Sequence, residues 1–570
     1  MKKKITNYLL VGLLATSIVG CGDNNSVIHN NSNNNNNNNN SNSNSNSSNN
    51  SNSNINNDNN NGNSVDINVP TIDELDFDVE FNDDGTVNLD YFENVQLELW
   101  SVIGDPDKST LVSLIKEFNI EYSGIIEIVL TSIGHYEYYP ALSSTYNNER
   151  EEFPDICLLH NEKNLEYAML NYFYPLDELN ELVGNPIDFD GLYDNIERTT
   201  VYKNNHFGVP IDAHGYLTQI RQDIVKKNNL GFDNNTRFVP NSFEEYGLLL
   251  QNLGDLAKSG ELWTRNINLD QDHSWYQIKN GNPNLKDSVT KDVFYPTFDL
   301  YSEYDALTAL YVNGGTLLDE NGDVNFHKND GFVQYITDQV DRFNNDLMGS
   351  SGEKTEMFGN GSTVMFSEGP WWIANTYSLL WNNKQLKTAG KLGVTEEDAN
   401  DPIYSEPYAA ARPHGWWANQ NAPEDVKDKW YGTGHVIAVT SEVKSLQKIA
   451  AAFEFINWLT QRQDSNGDYN LTKWCKAGHI PAWKNVYEAP CYKKAVENSM
   501  TLKALGDPAD IIALESARFA THLIDGLILS VRDVHAELQS SRGCTIEKSK
   551  EIINNVAKST QEGLDLLENY

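Results

Sequence analysis

Val95-Gln96-Leu97-Glu98-Leu99-Trp100 alternates apolar and polar side chains with the period of two that a half-covered strand requires. A turn follows at Gly104-Asp105-Pro106, and Leu111, Leu114, Ile115 and Phe118 then recur at helical spacing. Ile125-Ile126-Glu127-Ile128-Val129-Leu130 is a second β-rich run, and Asp155-Ile156-Cys157-Leu158-Leu159 is a third. Strands alternating with helices predict right-handed βαβ units, hence an α/β fold built on a parallel sheet. In open sheets of that kind ligands sit beyond the carboxyl ends of the strands. Here those ends are Trp100-Ser101, Thr131-Ser132 and His160-Asn161-Glu162.

Toward the N-terminus the pattern changes character. Met1-Lys2-Lys3-Lys4, an apolar run from Tyr8 to Ala15 and Ile18-Val19-Gly20 precede Cys21. A basic start, a short apolar stretch and small residues before a cut describe a secretory signal, and the stretch is far below the ~18 residues of a permanent span. With cysteine placed just after Ile18-Val19-Gly20, the segment resembles the lipobox of bacterial lipoproteins. That resemblance implies cleavage after Gly20, a diacylglyceryl thioether on Cys21, and attachment at the extracytoplasmic face of the bacterial cell membrane. A plain cleaved signal with an accidental cysteine is the alternative.

Residues 22–64 are almost wholly Asn and Ser and lack the apolar content to offset the entropy of ordering. A flexible coil of that length reaches about 35 Å. The expected organisation is a signal peptide at 1–20, an Asn/Ser linker with an acidic lead-in at 21–90, and a globular part at 91–570. About 475 residues is too long for one compact core and predicts two lobes. A net charge of −39, made more negative when Lys2, Lys3 and Lys4 leave, repels nucleic acid and anionic lipid. Cys157, Cys475, Cys491 and Cys544 form no CxxC, so neither a metal knuckle nor a thioredoxin-type site is expected. Cys475 and Cys491 are the most favourable pair for a disulfide.

Toward the C-terminus, Phe243 to Leu256 is helical by pattern, capped by Asn241 or Ser242. Asp305 to Val312 is a helix stopped by Asn313-Gly314-Gly315, and Asp319-Glu320-Asn321-Gly322-Asp323 is a hairpin turn. It is no EF-hand loop, because its glycine stands fourth and not sixth. Val364-Met365-Phe366 and Val436-Ile437-Ala438-Val439 are strands, and Leu446, Ile449, Phe453, Ile456 and Leu459 stripe a helix.

In order along the chain, several short motifs together resemble the maltose-binding-protein-like extracellular solute-binding proteins of bacterial sugar ABC importers. They are Phe153-Pro154-Asp155-Ile156, Phe207-Gly208-Val209-Pro210-Ile211-Asp212, Gly314-Gly315, Phe358-Gly359-Asn360-Gly361, Gly369-Pro370-Trp371, Gly432-Thr433-Gly434-His435, the Ala450 to Leu459 helix, and Gly478-His479-Ile480-Pro481-Ala482. The resemblance covers about Val95 to Pro490. It implies two α/β lobes joined by a hinge, a ligand cleft between them, and closure on a carbohydrate. One lobe is expected to hold about 92–210 and 388–460, the other about 215–380 and 465–570. The implied partners are an oligosaccharide and the transmembrane subunits of an ABC permease, with the protein a monomer and no cofactor or metal.

A sugar offers hydroxyls at its edge and C–H patches on its faces, so its site combines flat aromatic plates with polar groups. Trp371 matches the tryptophan of the family's Gly-Pro-Trp motif, which stacks on the ligand, while Trp372 is expected to pack inward. Trp483, Trp100, Trp416 and Trp417 are further candidate plates, and Trp474 is read as structural. Asp212 takes the place of the family's hinge-proximal acid, and a carboxylate suits two hydroxyls. Asn161 and Glu162, after the Pro-Asp-Ile strand, match the position of an acid–base pair; Leu159 replaces the tryptophan that precedes it in the maltose type. Gly434, His435 and Arg412 complete the candidate polar set.

No GxSxG, HExxH or P-loop occurs, and no carboxylate pair stands out for glycoside hydrolysis, so a binder and not an enzyme is expected. The alternative is a polysaccharide-binding or glycoside-hydrolysing lipoprotein uncoupled from transport.

Overall fold

A computed structural model describes residues 72–83, 85–278, 294–298, 303–349, 353–370, 380–381, 388–412, 414–512, 519–540 and 543–568. The signal segment, Cys21, the Asn/Ser tract, Trp371 and Trp372 lie outside the described residues.

The chain begins as predicted, with β1 (Val95–Ser101), α1 (Lys108–Glu121), β2 (Ile126–Ser132), α2 (His135–Asn148), β3 (Ile156–His160) and α3 (Asn161–Met169). Among the short strands that follow are β4 (Val209–Pro210), β5 (Asp212–Ala213) and β6 (Leu217–Ile220). Then come α4 (Phe243–Ser259), β7 (Tyr295–Thr297), β8 (Thr363–Glu368), β9 (Ala409–Ala411), β10 (His435–Val439) and α5 (Leu446–Thr460). The chain ends with α6 (Asn470–Cys475), β11 (Ile480–Pro481), α7 (Ala520–Gln539) and α8 (Ile546–Glu568).

The first sheet has the order β2-β1-β3-β10-β4. Its first three strands are parallel, Val95 facing Ile126 and Leu99 facing Ile156, as βαβ units demand. β10 runs antiparallel to β3, His435 facing His160, so the sheet is mixed and not wholly parallel. The reason is topological: β10 returns from the second lobe and enters the sheet beside the last residue of β3, so it runs back between β3 and β4. In β1, Val95, Leu97, Leu99 and Ser101 are buried while Gln96 and Glu98 are exposed, and α1 covers the sheet with Leu111, Leu114, Ile115 and Phe118. The second sheet has the order β7-β8-β6-β9, with Met365 and Ala409 both opposite Ile220.

Each sheet has its own apolar core, which gives two lobes. The first gathers Leu97, Ile156, Val209, Ile437 and Phe453; the second gathers Ile220, Leu250, Leu310, Val364 and Leu527. The chain passes between the cores at 213–220, again near Trp430 and Tyr431, and again between Ile511 and Leu523.

Three expected boundaries are corrected by packing. Residues 388–417 belong with the second lobe, because β9 pairs with β6 and Trp416 and Trp417 fill the second core. Residues 471–511 belong with the first, where Leu471, Trp474, Ile480, Tyr492 and Leu505 turn their apolar faces. The acidic lead-in is folded from at least residue 72, with Leu75, Val87 and Phe92 buried in the first core. Asp78 accepts hydrogen bonds from Ser445 Oγ and the Gln447 main chain, at the start of α5.

Candidate functional site

Asp212 and His214 stand two apart on an extended segment, so their side chains leave the same face. Strand register supplies two more groups to that face. His214 bridges Thr433, which sets Asp212 beside His435, the first residue of β10. On the other flank Ile480 pairs with Ala213 and Pro481 with Asp212, which sets His479 beside His214. Gly434 permits the close approach: a Cβ there would lie 2.1 Å from the Asp212 carbonyl oxygen. Three imidazoles thus surround one carboxylate on a three-segment ribbon, and one ligand-capable atom from each lies within 4.8 Å of the others.

None of the four is open to solvent: Asp212 and His479 are 0% exposed, His214 2% and His435 5%. Asp212 Oδ1 accepts the His435 main-chain N–H at 3.0 Å, and Oδ2 accepts His435 Nδ1–H at 2.8 Å and the Trp474 indole N–H. His214 Nδ1 lies 3.4 Å from Asp212 Oδ1. His479 stacks on Trp474 with centroids 4.8 Å apart, and neither of its ring nitrogens makes a hydrogen bond of good geometry. Its Nε2 is 3.6 Å from Asp107 Oδ2.

The fields are strong because water is excluded. Burial opposes the Asp212 charge, but His435, His479 and His214 outweigh it and hold the carboxyl well below the usual range. Burial likewise opposes charge on His435, yet Asp212 outweighs it and raises the pKa. Burial takes His479 down to about 3 despite the pull of Asp212. Burial lifts Asp107 to about 7, against the pull of His435.

From this cluster an aromatic path leads outward. His160 lies 5.3 Å from His435, ring centre to ring centre, and His135 lies 5.1 Å from His160. His135 is exposed, and its neighbour Tyr136 is 88% exposed. Trp100 is half-buried at the end of β1, where the sequence places a ligand edge. Thr433 Oγ1 lies 2.6 Å from Asn161 Oδ1 and contacts Glu162 Oε2, its single proton serving both.

The structure therefore sorts the residues chosen from sequence. Asp212, Gly434 and His435 come together, and Thr433 ties Asn161 and Glu162 to the same end of the first sheet, while Trp100 stands at the end of β1. Asp212 is corrected from a sugar-facing acid to an enclosed one, both oxygens already taken by protein donors. Trp483 is corrected to a core residue, 1% exposed, donating its indole N–H to the Pro210 carbonyl. Trp416 donates to the Pro240 carbonyl and stacks on Tyr246, and Trp417 packs edge-on against the same ring, so both fill the second core. Arg412 is committed to Asp510 at 3.1 Å. Trp371, the first choice for a plate, lies outside the described residues.

Sequence reading missed His214 and His479, and with them a set able to hold a metal. The one local signal was Asp-x-His at 212–214; the other two partners arrive from more than 200 residues away. A surface recess of about 570 Å3 at Asp468, Lys476, Cys491, Lys494 and Asn498 lies on outer helices and carries no aromatic plate. Cys475 and Cys491 are free thiols, not a disulfide.

The sequence model of the bacterial extracellular solute-binding proteins matches residues 113–500. No curated protein sequence matches the chain. The GacH receptor of Streptomyces glaucescens, solved unliganded and with acarbose, superposes with a TM-score of 0.57 at 14% identity, over 82% of this chain and 99% of that one. The sugar-binding protein MalE of Xanthomonas citri gives 0.58 at 14%, over 84% and 100%. UgpB of Mycobacterium tuberculosis, in complex with glycerophosphocholine, gives 0.57 at 12%, over 83% and 99%. At such identities the likeness is one of fold.

Proposed function

The chain belongs to the bacterial extracellular solute-binding proteins, and on that premise we propose that it captures an oligosaccharide between its two lobes and delivers it to an ABC permease. In this reading it acts as a monomer without catalysing a reaction. It is held at the extracytoplasmic face of the membrane by lipid on Cys21, with the Asn/Ser-rich residues 22–64 as the tether. None of the described helices is long and apolar enough to cross a membrane.

The observation that carries the sugar assignment is the group at the end of the first sheet. Trp100, half-buried at the end of β1, and Tyr136, exposed at the start of α2, offer flat apolar faces, and His135 at the start of α2 and Lys163 at the start of α3 offer polar groups. That pairing of plates and donors suits a pyranose better than a compact ion. The Streptomyces protein, solved with acarbose, and the Xanthomonas sugar-binding protein support the same class; the glycerophosphocholine complex shows that the fold takes other polar solutes.

Calorimetry of the mature chain against mono-, di- and trisaccharides tests the reading, with saturable heat expected from an oligosaccharide. Trp371→Ala is expected to weaken binding by ~2 kcal/mol or more. Absence of heat from every saccharide overturns the proposal, and release of reducing sugar replaces it with a hydrolase. Cys21→Ser is expected to move the protein from the membrane fraction to the medium.

A further inference from the structure

We infer that Asp212, His214, His435 and His479 form a buried binding site for one transition-metal ion of the zinc class. Three imidazoles and one carboxylate are the donor set that such an ion selects, whereas calcium and magnesium prefer oxygen alone. The four residues are spread over three extended segments, yet register puts all of them on one face. They are also the one group of this kind found among the described residues.

A second observation points to a missing partner. His479 is 0% exposed, and with Asp107 Oδ2 3.6 Å from Nε2 neither ring nitrogen makes a hydrogen bond of good geometry. Native interiors rarely leave a buried polar group that way without a reason. A coordinated ion supplies one. The supporting shell is already in place, since Asp212 is held by the His435 main chain and by the Trp474 indole, and Trp474 also fixes the plane of His479 by stacking.

Size can be checked. A tetrahedral zinc ion with bonds of about 2.0–2.1 Å holds its ligand atoms about 3.4 Å apart. The present spread of up to 4.8 Å exceeds that by about 1.4 Å, a distance that the His214 and His435 side chains would close around the fixed His479 ring. His135 and His160 give a stepwise route inward from the surface. Because His214 and Thr433 lie where the chain passes between the lobes, the ion would brace the segments about which the lobes turn. The four ligands are none of the residues of the sugar-facing group, although His135 serves both as a member of that group and as the outer step of the route, and the site does not depend on the sugar assignment.

The test uses the whole mature protein, stripped with EDTA and titrated with Co2+ as a spectroscopic stand-in for Zn2+, no sugar being present. One equivalent should bind with the visible absorption of a tetrahedral nitrogen–oxygen site, Zn2+ should bleach it, and the melting temperature should rise. His479→Gln and His214→Gln should each lose more affinity than the roughly 10–100-fold that outer-shell partners carry. Should either variant fail to fold, the unsubstituted protein decides alone: no stoichiometric, Zn2+-displaceable Co2+ spectrum overturns the inference. Folded variants that bind as tightly as the parent overturn it equally. Binding confined to surface histidines would show as a weak octahedral spectrum unchanged by either substitution, and that too would refute the site.

Discussion

Arg265 Nε donates to Asp223 Oδ2 across 2.8 Å in an interior where both side chains are 0% exposed. Arg221 grips the same carboxylate with Nε and Nη2 at 2.9 and 3.0 Å, and Arg265 reaches on to Asp398 at 2.8 Å. Burial works against the charge of Asp223, but the two guanidinium groups outweigh it and hold its pKa down. Such a cluster ties β6, the segment around Trp263–Thr264 and the short helix Glu396–Asn400 into one lobe.

Asp223→Asn removes the charge that both arginines share while keeping its shape. Breaking a buried pair on one side leaves uncompensated charge, so the variant is expected to lose ~3–5 kcal/mol of stability. Urea unfolding followed by fluorescence reads this as a lower midpoint. An unchanged midpoint would mean that water or another group already shares the load.

Trp483 separates a core role from a ligand role. Its ring packs over Gly191, where a Cβ would come within 3.1 Å, and its indole N–H is bonded to Pro210. Trp483→Ala is expected to cost ~3–5 kcal/mol of stability, while the affinity of whatever folded protein remains stays at the parent value. A loss of affinity without loss of stability would return Trp483 to the cleft.

His206 carries a pH dependence of known sign. Its ring sits between Asp177 and Glu197, with Nδ1 2.9 Å from Asp177 Oδ1 and Nε2 3.0 Å from Glu197 Oε1, and it stacks on Phe189. Burial lowers its pKa, but the two carboxylates outweigh burial and raise it above the ordinary 6.5. Asp177 shifts the opposite way: burial opposes its charge, and bonds from His206 more than compensate. The histidine's contribution is therefore complete below 6.5 and lost as pH rises through its raised pKa; that of Asp177 is lost only as pH falls below the usual carboxylate range. Parent minus His206→Gln should differ more at about pH 5.5 than at about pH 8.5, by about 1 kcal/mol or less after solvent screening. A flat difference would leave only the ring stacking.

Much of the first lobe was legible because its signals are local. Period two in Val95 to Trp100 gave β1, and the stripe from Leu446 to Leu459 gave α5. Ser242 caps α4 by accepting from the Glu245 main chain, as the cap rule expects. The Asp319 to Asp323 turn closes a bridge between Leu318 and Val324. What failed was set by distant partners. Ala409–Ala411 carries no strand signal of its own and is a strand because β6 pairs with it. Whether a tryptophan lines a cleft or fills a core depends on what packs over it, so the sequence leaves Trp416, Trp417 and Trp483 as candidates for either role and the structure buries all three. The histidine cluster was invisible for the same reason, its members being joined by two strand registers and by no motif.

Gly434 offers the sharpest check on that register. A methyl group at this position would meet the Asp212 carbonyl oxygen at 2.1 Å and the Ala213 Cα at 3.3 Å, and both obstacles are main chain. No side-chain rotation relieves such a clash, so Gly434→Ala must push β10 away from the 212–214 segment. Overpacking of this kind costs about 1–3 kcal/mol. The same displacement lengthens the bonds from His435 to Asp212, so the chemical shifts of the His435 ring should move while those of the distant His535, bonded to Gln339, stay fixed. Parent-like stability together with an unshifted His435 would show that the two segments are not apposed as described.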